Sequence, residues 1–428
     1  MVEYDAVIVG AGILGLSTAY HIKKKNPNAE ILLIDKLGTA GQANTAKSAG
    51  AFRCLFYSRT NFTLADSSAE FYRHLQDDLG MNLKLRWAGY LWFFDEEGYR
   101  QMQPVLKDLA EKGFEYKEYD ENELAEKLSI QTNFTGDEEA RLMGLGNVYK
   151  GVFIPKAGFI DVDSLVRFYE LEFVKLGGKI QYGTEVKNIV VEPREPLGIP
   201  SEPFFWQDSR AVGVNTNQGM IRAKKTIVAV GAWLPLLLDP LGVECYIKPK
   251  KRQIFSVKAK TDSLKKLLRI KDFSSVGCLP FTILPKPSVY LKPALEEDAF
   301  WLSYGDEFPR AFELEEDPQP EENFYRYGIY QVLVKYFPQF KDCQPFSAFA
   351  GLYAINTLDG QPIIFEENDL MIVGGASGSG IMKADAMGRI AAALYSGEEY
   401  AMLYGDREFK VSDLGIKNRH VEPEKLVI

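Results

Sequence analysis

The chain opens with an unbroken apolar run, "DAVIV" at 5–9, passes through "ILGLSTAYHIKKK" at 13–25, and reaches a second apolar run, "EILLID", at 30–35. Short continuous apolar runs on either side of a helical stretch predict a strand–helix–strand unit with parallel strands, because a strand covered on both faces has no polar side to alternate. The pattern returns at 158–192, "GFIDVDSLVRFYELEFVKLGGKIQYGTEVKNIVVE", where a helix stops at Gly177-Gly178 and alternating strands follow. "KKTIVAVGAW" at 224–233 supplies another buried strand ending in glycine. Between them the Pro-rich "REPLGIPSEPFFWQDSRAV" reads as a loop or hairpin insertion.

Segments 84–150 and 246–340 carry a different rhythm. Strands such as "GYLWFF", "RQIFSV" and "FWLSYGD" mix with helices such as "YRQMQPVLKDLAEKG", the α+β pattern of a sheet covering a cavity. A chain of 428 residues also exceeds what one hydrophobic core usually supports. We therefore expect two discontinuous domains: a nucleotide-binding one from 1–83, 151–245 and 341–428, and a substrate-binding one from 84–150 and 246–340.

Charge narrows the function. The formal net charge is −9 and the pI about 5.2, and no basic stripe outweighs that background, which excludes a nucleic-acid surface. The four cysteines are scattered and only three histidines occur, so no metal site is expected. The longest apolar run, "TIVAVGAWLPLLL" at 226–238, is too short for a membrane span and holds Gly231 and Pro235. With no secretory pattern at the start, a cytoplasmic protein is expected, peripheral membrane contact staying open. The acid run "ELEEDPQPEE" at 313–322 reads as a solvated loop leading into a helix, and "KPKKR" at 248–252 as a solvated strand entry.

The first strand runs directly into "GAGILG", which places Gly10, Gly12 and Gly15 in G-x-G-x-x-G spacing, and the second strand ends in Asp35, twenty residues after Gly15. Gly10 permits a tight turn, Gly12 lets backbone approach a pyrophosphate, Gly15 allows close helix–strand packing, and Asp35 can bind a ribose hydroxyl pair. FAD and NAD both satisfy this unit. A small-residue loop follows at 38–56, "GTAGQANTAKSAGAFRCLF", carrying Lys47, Ser48 and Arg53; such a loop suits a flat ring system, and Arg53 can offer a bidentate guanidinium to a carboxylate. Near the end, "GGASGSGIMKADAMGRIAAAL" crowds glycines at a helix start, which brings free N–H groups and a positive dipole end close to a ligand.

The order of these motifs, with "GFIDVDSL", "GTEV", "TIVAVGAW" and "GLYAINTLDGQPII" between them, resembles the D-amino-acid oxidase, glycine oxidase and sarcosine oxidase superfamily of FAD enzymes over essentially the full length. Within it, "KSAGAFR", "PKKRQIF" and "GSGIMKADAMGRIAAA" are most similar to the archaeal dye-linked L-proline dehydrogenases. The resemblance implies an α/β fold: a Rossmann-like FAD domain of the GR2 type and an α+β substrate domain whose mixed sheet covers the flavin. It implies that Gly10, Gly12, Ile13, Leu14, Gly15, Asp35, Lys36, Lys47, Ser48, Ala49, Val186, Gly231, Trp233, Gly378, Ser379, Gly380, Ile381, Met382 and Lys383 bind the cofactor. Arg53, Tyr353 and Lys383 are the implied catalytic residues. Two departures stand out. Sarcosine oxidases hold a flavin-bonding cysteine where this chain has Gly351, its nearest cysteine being Cys343, so noncovalent FAD is expected; and their "GHGFK" is here "GSGIMK", with Ser379 for histidine.

Oxidation of a hydroxy acid calls for a base, commonly histidine, and no histidine of this chain lies in a flavin-reaching motif. A neutral amino acid can pass its α-hydrogen to flavin N5 as hydride while the nitrogen lone pair forms the imine, so the protein mainly positions it. The expected activity is FAD-dependent oxidation of an amino acid, L-proline to 1-pyrroline-5-carboxylate, with electrons passed to a quinone, dye or redox protein. Alternatives are a sarcosine- or glycine-type amine oxidase, a 2-hydroxy-acid dehydrogenase, or a flavin-bearing electron-transfer subunit of a complex.

Overall fold

A computed structural model describes residues 3–425, so the outer domain limits at 1 and 428 lie outside the described residues. The apolar runs form the centre of an eight-stranded sheet in the order Ile363–Glu367, Leu370–Gly374, Gly219–Val228, Glu3–Val9, Ile31–Ile34 and Lys179–Gln181. Its inner pairings are parallel, and only Ile363–Glu367 runs antiparallel along this path. The hairpin Val186–Pro193 and Ser209–Thr216 joins the early half of Gly219–Val228, and the Pro-rich stretch is its loop.

Both faces of this sheet are covered, as the continuous apolar runs require. Ala6 and Ile8 pack into one cluster with the first helix, Ile13–Lys25, while Val7 and Val9 pack into another with Leu234 and Leu238. The first helix lies against both Val162–Lys175 and the last helix, Gly380–Tyr395. Small residues make the second of these contacts close. Ser17 Oγ donates to the Ala384 carbonyl at 2.7 Å, and a Cβ on Gly388 would stand 2.2 Å from Ser17 Oγ. His21 Nε2 donates to Asp385 Oδ1 at 2.7 Å, fully buried between the helices. Burial keeps the His21 pKa below its ordinary value despite Asp385. Burial also works against the Asp385 charge, yet His21 and Arg389 together hold its carboxyl below the usual range.

The second sheet is also eight-stranded, in the order Ser347–Asn356, Ile247–Lys258, Ala299–Ser303, Tyr290–Ala294, Phe281–Ile283, Tyr90–Phe94, Lys150–Ile154 and Lys117–Asp120. It is antiparallel except where Phe281–Ile283 pairs with Tyr90–Phe94. By strand membership it reaches past 84–150 and 246–340, taking in 151–154 and 347–356. Leu91, Phe93, Phe255 and Phe300 bury one face against helices such as Tyr330–Tyr336. On the opposite face Tyr90 stacks on Phe281 at 4.5 Å between centroids, and Phe281 meets Tyr290 at 4.8 Å.

Gly388→Val should force the first and last helices apart. Overpacking of this kind costs about 1–3 kcal/mol, read as a lower thermal unfolding midpoint; an unchanged midpoint would show that the contact yields freely.

Candidate active site

One cavity of about 890 Å³ is lined from both sheets. Its first section is the glycine turn. Gly10 sits at φ +105°, where a Cβ would approach the Ala229 carbonyl oxygen to 2.7 Å, and Gly10, Gly12, Ile13 and Leu14 all face the cavity. Gly15 does not line it; a Cβ there would lie 1.9 Å from the Gly10 carbonyl oxygen, so its role is to let helix and strand close up. Gly12 caps the first helix in extended conformation with no side-chain cap and no acid in the first turn, and the Ile13 N–H donates to Thr45 Oγ1 at 3.1 Å. Asp35 lines the cavity while accepting the Ala11 N–H at 2.6 Å and the Leu37 N–H at 2.8 Å, which ties the second strand's end to the glycine turn.

The strand Ile247–Lys258 corrects one expectation, and the segment 305–321 supplies the acids that reach it. "KPKKR" is no solvated entry: Lys250 and Lys251 are buried inside the strand. "ELEEDPQPEE" is, as expected, a largely exposed loop leading into a helix, and its acids are paired. Glu315 and Glu321 take Lys251, Glu321 pairs bidentately with Arg310, and Glu316 accepts from Lys36 Nζ at 2.5 Å and Trp233 Nε1 at 3.0 Å. Asp317 lies 3.7 Å from Lys47 Nζ. The acids therefore strap the second sheet to the Lys36, Lys47 and Trp233 wall of the cavity. Arg310, with Gln253 and Lys251, holds the Glu321 carboxyl down at about 2 even against burial.

A further section gathers the expected catalytic residues. Within the 38–56 segment Arg53 stands on the short strand Ala51–Arg53, paired with Ala157–Phe159, and it is buried. Its guanidinium lies 4.2 Å from the Phe56 ring centroid and 5.3 Å from that of Trp92, and donates to the Leu55 carbonyl at 3.3 Å. Lys383, in the first turn of the last helix, is 2% exposed; its ammonium stands 5.3 Å over the same Phe56 ring and donates to Asn61 Oδ1 at 2.7 Å. Burial, reinforced by Arg53 and opposed by Glu424, brings the Lys383 pKa down to about 7. Burial lowers the Arg53 pKa as well, again opposed by Glu424.

The last helix begins at Ser379, whose hydroxyl bonds back to the Ala376 carbonyl at 2.6 Å and leaves the first-turn N–H groups without a side-chain cap. Gly378, Ser379, Gly380, Ile381 and Met382 all line the cavity. Gly378, at φ +86°, is required by Tyr353: a Cβ would stand 2.2 Å from the Tyr353 ring. Tyr353 presents 37% of its surface and lines the cavity, with the Arg252 guanidinium 5.4 Å from its ring.

The cavity thus brings together every expected site residue except Gly15, with Ser48, Ala49, Val186 and Gly231 among its walls. Sequence reading missed Phe56, Asn61, Tyr90, Arg252, Tyr290 and Glu424, which also line it. Tyr90, Arg252 and Tyr290 stand on strands whose alternation marks a face but not what that face meets. Asn61 and Glu424 carried no motif. Among the described residues no cysteine or histidine lines the cavity, no group of three His, Cys, Asp or Glu is placed to hold a metal, and no helix is long and apolar enough to cross a membrane.

The family described as FAD dependent oxidoreductase (DAO) matches residues 5–394. The chain belongs to this family. It is 23% identical over 418 residues to the FAD-dependent oxidoreductase domain-containing protein 1 of Xenopus laevis, covering 91% of this chain and 78% of that protein. It is 25% identical over 404 residues to the glycine oxidase of Pseudomonas aeruginosa, covering 92% and 95%. The crystal structure of L-proline dehydrogenase from P. horikoshii superimposes with a TM-score of 0.72 at 22% identity, over 92% of this chain and 94% of that one. The protein is a DAO-family, FAD-dependent oxidoreductase, and its cavity fits the cofactor. Two long helices, starting at Ile13 and Gly380, both bring their N-termini to the same cavity with no bond from the N-cap side chain, which is what a dinucleotide bearing phosphates and an electron-accepting ring calls for.

Gly15→Ala drives a methyl into the Gly10 carbonyl. Overpacking of this kind costs about 1–3 kcal/mol of folding stability, and the displaced turn should bind FAD more weakly, measurable by titrating the apoprotein with FAD. Unchanged affinity would release Gly15 from this role.

Proposed function

We propose that this DAO-family enzyme oxidises an amino acid at the CH–NH group, with L-proline as substrate and 1-pyrroline-5-carboxylate as product, and passes the electrons to an acceptor other than oxygen. The observation that carries the reading is the convergence of two buried cations, Arg53 and Lys383, over one aromatic ring in the cavity. Two positive groups in an apolar wall suit a carboxylate, whose two oxygens match a guanidinium fork. The Tyr90, Phe281 and Tyr290 stack supplies a flat apolar surface for a compact ring. The named substrate draws further support from the likeness to the P. horikoshii enzyme and from the motifs shared with proline dehydrogenases.

FAD, when bound, supplies the two-electron acceptor. The residues present do the rest by binding and orientation. The glycine turn and the helix from Ile13 hold phosphate, and Lys36, Lys47, Ser48, Ala49, Val186, Gly231 and Trp233 wall the nucleotide. The N-terminus of the helix from Gly380 and the Lys383 ammonium face the cavity with positive charge, which favours an electron-rich ring. Attachment is noncovalent, in keeping with the lack of a cysteine among the described lining residues. His21, His74 and His420 all lie off the cavity lining, so none is placed as a hydroxyl base, and this favours an amine over a 2-hydroxy acid.

Anaerobic mixing of holoenzyme with L-proline, D-proline, sarcosine, glycine or 2-hydroxyglutarate tests the reading. Bleaching of flavin absorbance by L-proline alone is expected. Bleaching by another compound replaces the substrate, and bleaching by none favours an electron-transfer subunit. Arg53→Lys keeps the charge but loses the fork, and the substrate KM should rise about 10-fold or more, in line with the 1.5–3 kcal/mol of a charged hydrogen bond; an unchanged KM would take Arg53 out of the carboxylate site.

Lys383 adds a pH signature. With a free-enzyme pKa of about 7 it is charged below that pH and neutral above it. For an amine substrate that must lose its own proton, kcat/KM climbs with pH while Lys383 stays charged, then flattens as the ammonium is lost. Lys383→Met should remove the break near neutrality, and a break that survives would assign it to another group.

A further inference from the structure

The residues that face Lys383 come from four separate segments: Arg53 from its short strand, Phe56 from the turn beyond, Asn61 from the helix Arg59–Arg73, and Glu424 from the carboxy-terminal tail. The tail is fastened across the start of that helix. Arg419 pairs with Asp359 through both ends of its guanidinium, at 2.6 Å each. The Glu422 carboxylate accepts the Arg59 N–H at 2.8 Å, and its carbonyl accepts Gln361 Nε2 at 2.5 Å. Glu424 Oε1 accepts the Tyr57 N–H at 2.9 Å, and its Oε2 accepts the Ser58 N–H at 3.3 Å and Asn61 Nδ2 at 3.1 Å. Lys425 closes over the Tyr57 ring at 4.1 Å and donates to its hydroxyl at 2.7 Å.

Asn61 is therefore gripped from both sides. Its amide nitrogen donates to Glu424, its amide oxygen accepts from Lys383, and its backbone N–H is held by Ser58 Oγ at 3.3 Å. The acceptor role of the oxygen follows from the nitrogen's engagement, since a flipped amide would set an NH₂ against an ammonium. Glu424 also lines the cavity itself. We propose that the carboxy-terminal tail is a working part of the active site, with Glu424 a positioning residue that orients Asn61, fixes the Lys383 amine in the cavity and supplies the negative charge nearest to the Lys383–Arg53 pair. This rests on reading the cavity as the flavin and substrate site, but its test does not need a substrate.

The charged groups facing Lys383 are Arg53, which disfavours its protonation, and Glu424, which favours it; Asn61 and Phe56 are neutral. Glu424→Gln keeps the shape and deletes the charge, so the Lys383 ammonium should become easier to deprotonate. Holoenzyme carrying ¹³C at lysine Cε reports this directly by NMR, the Lys383 resonance being assigned by its loss in Lys383→Met. A downward shift of one pH unit in its midpoint, equivalent to about a fivefold larger neutral fraction one unit below the original midpoint, is the expected size. Glu424→Asp, which keeps the charge but draws it back on a shorter stem, should lower the midpoint by less than Glu424→Gln does.

If Glu424 only caps the helix, Glu424→Gln lowers the melting temperature while the Lys383 midpoint stays where it was, and the proposal falls. If Glu424→Gln fails to retain flavin, Glu424→Asp is read alone. A Lys383 midpoint that moves in that variant supports the proposal, and one identical to wild type overturns it. A shifted midpoint in an enzyme bleached by none of the amino acids would keep the tail's role and reject only the substrate reading.

Discussion

The packing of the first helix against the last is the contact on which the site depends. In neither helix does the N-cap side chain bond the opening turn, and Thr45 Oγ1 takes only the Ile13 N–H of the first, so other first-turn donors stay without a side-chain cap. Placing Ser17 against Ala384 and Gly388, and His21 against Asp385, fixes the two axes so that both openings meet one cavity. Nothing bulkier than glycine at 388 fits this approach. The small residues of the last helix thus serve two ends at once: Gly378 and Gly380 free its N-terminus for a ligand, and Ala384 through Ala393 let its body lie close to its neighbours.

That constraint carries an electrostatic consequence. Two helix N-termini, Arg53 and Lys383 all bring positive potential to one cavity in a protein whose formal charge is −9. The balancing acids are not beside the ligand space at random. They arrive on two straps, Gly305–Gln319 over the Lys36 and Trp233 wall, and the tail from Arg419 to Lys425 over the Arg53 and Lys383 wall. Each strap brings acids into the cavity wall, Glu316 on one and Glu424 on the other, and leaves the inner faces of the glycine turn and the last helix to the cofactor.

How much of this was legible in the sequence divides along a physical line. The glycine turn, Asp35 and the last helix were readable because backbone geometry dictates them locally: a tight turn, a close approach and a helix start each demand particular residues at fixed spacing. Arg53 was readable as chemistry but not as a place, since burial depends on Ala157–Phe159 pairing with it from a hundred residues away. Lys250 and Lys251 were misjudged for the same reason. A run of cations looks solvated until the acids at 307–321 fold back onto it. Asn61 and Glu424 lay beyond reach, because a contact between residues 363 apart leaves no trace in the pattern of either segment.

The last step concerns why a lysine, and not a second arginine, stands beside Arg53. Arginine stays charged under nearly any burial, whereas a lysine amine gives up its proton when desolvation and a neighbouring cation act together. At Lys383 both act, and Glu424 opposes them, which leaves the amine balanced at about 7. A group so balanced can be an ammonium when an anion enters the cavity and an amine when the anion leaves, so the site lightens its positive charge between turnovers. Arg53 then supplies the constant charge and Lys383 the adjustable one.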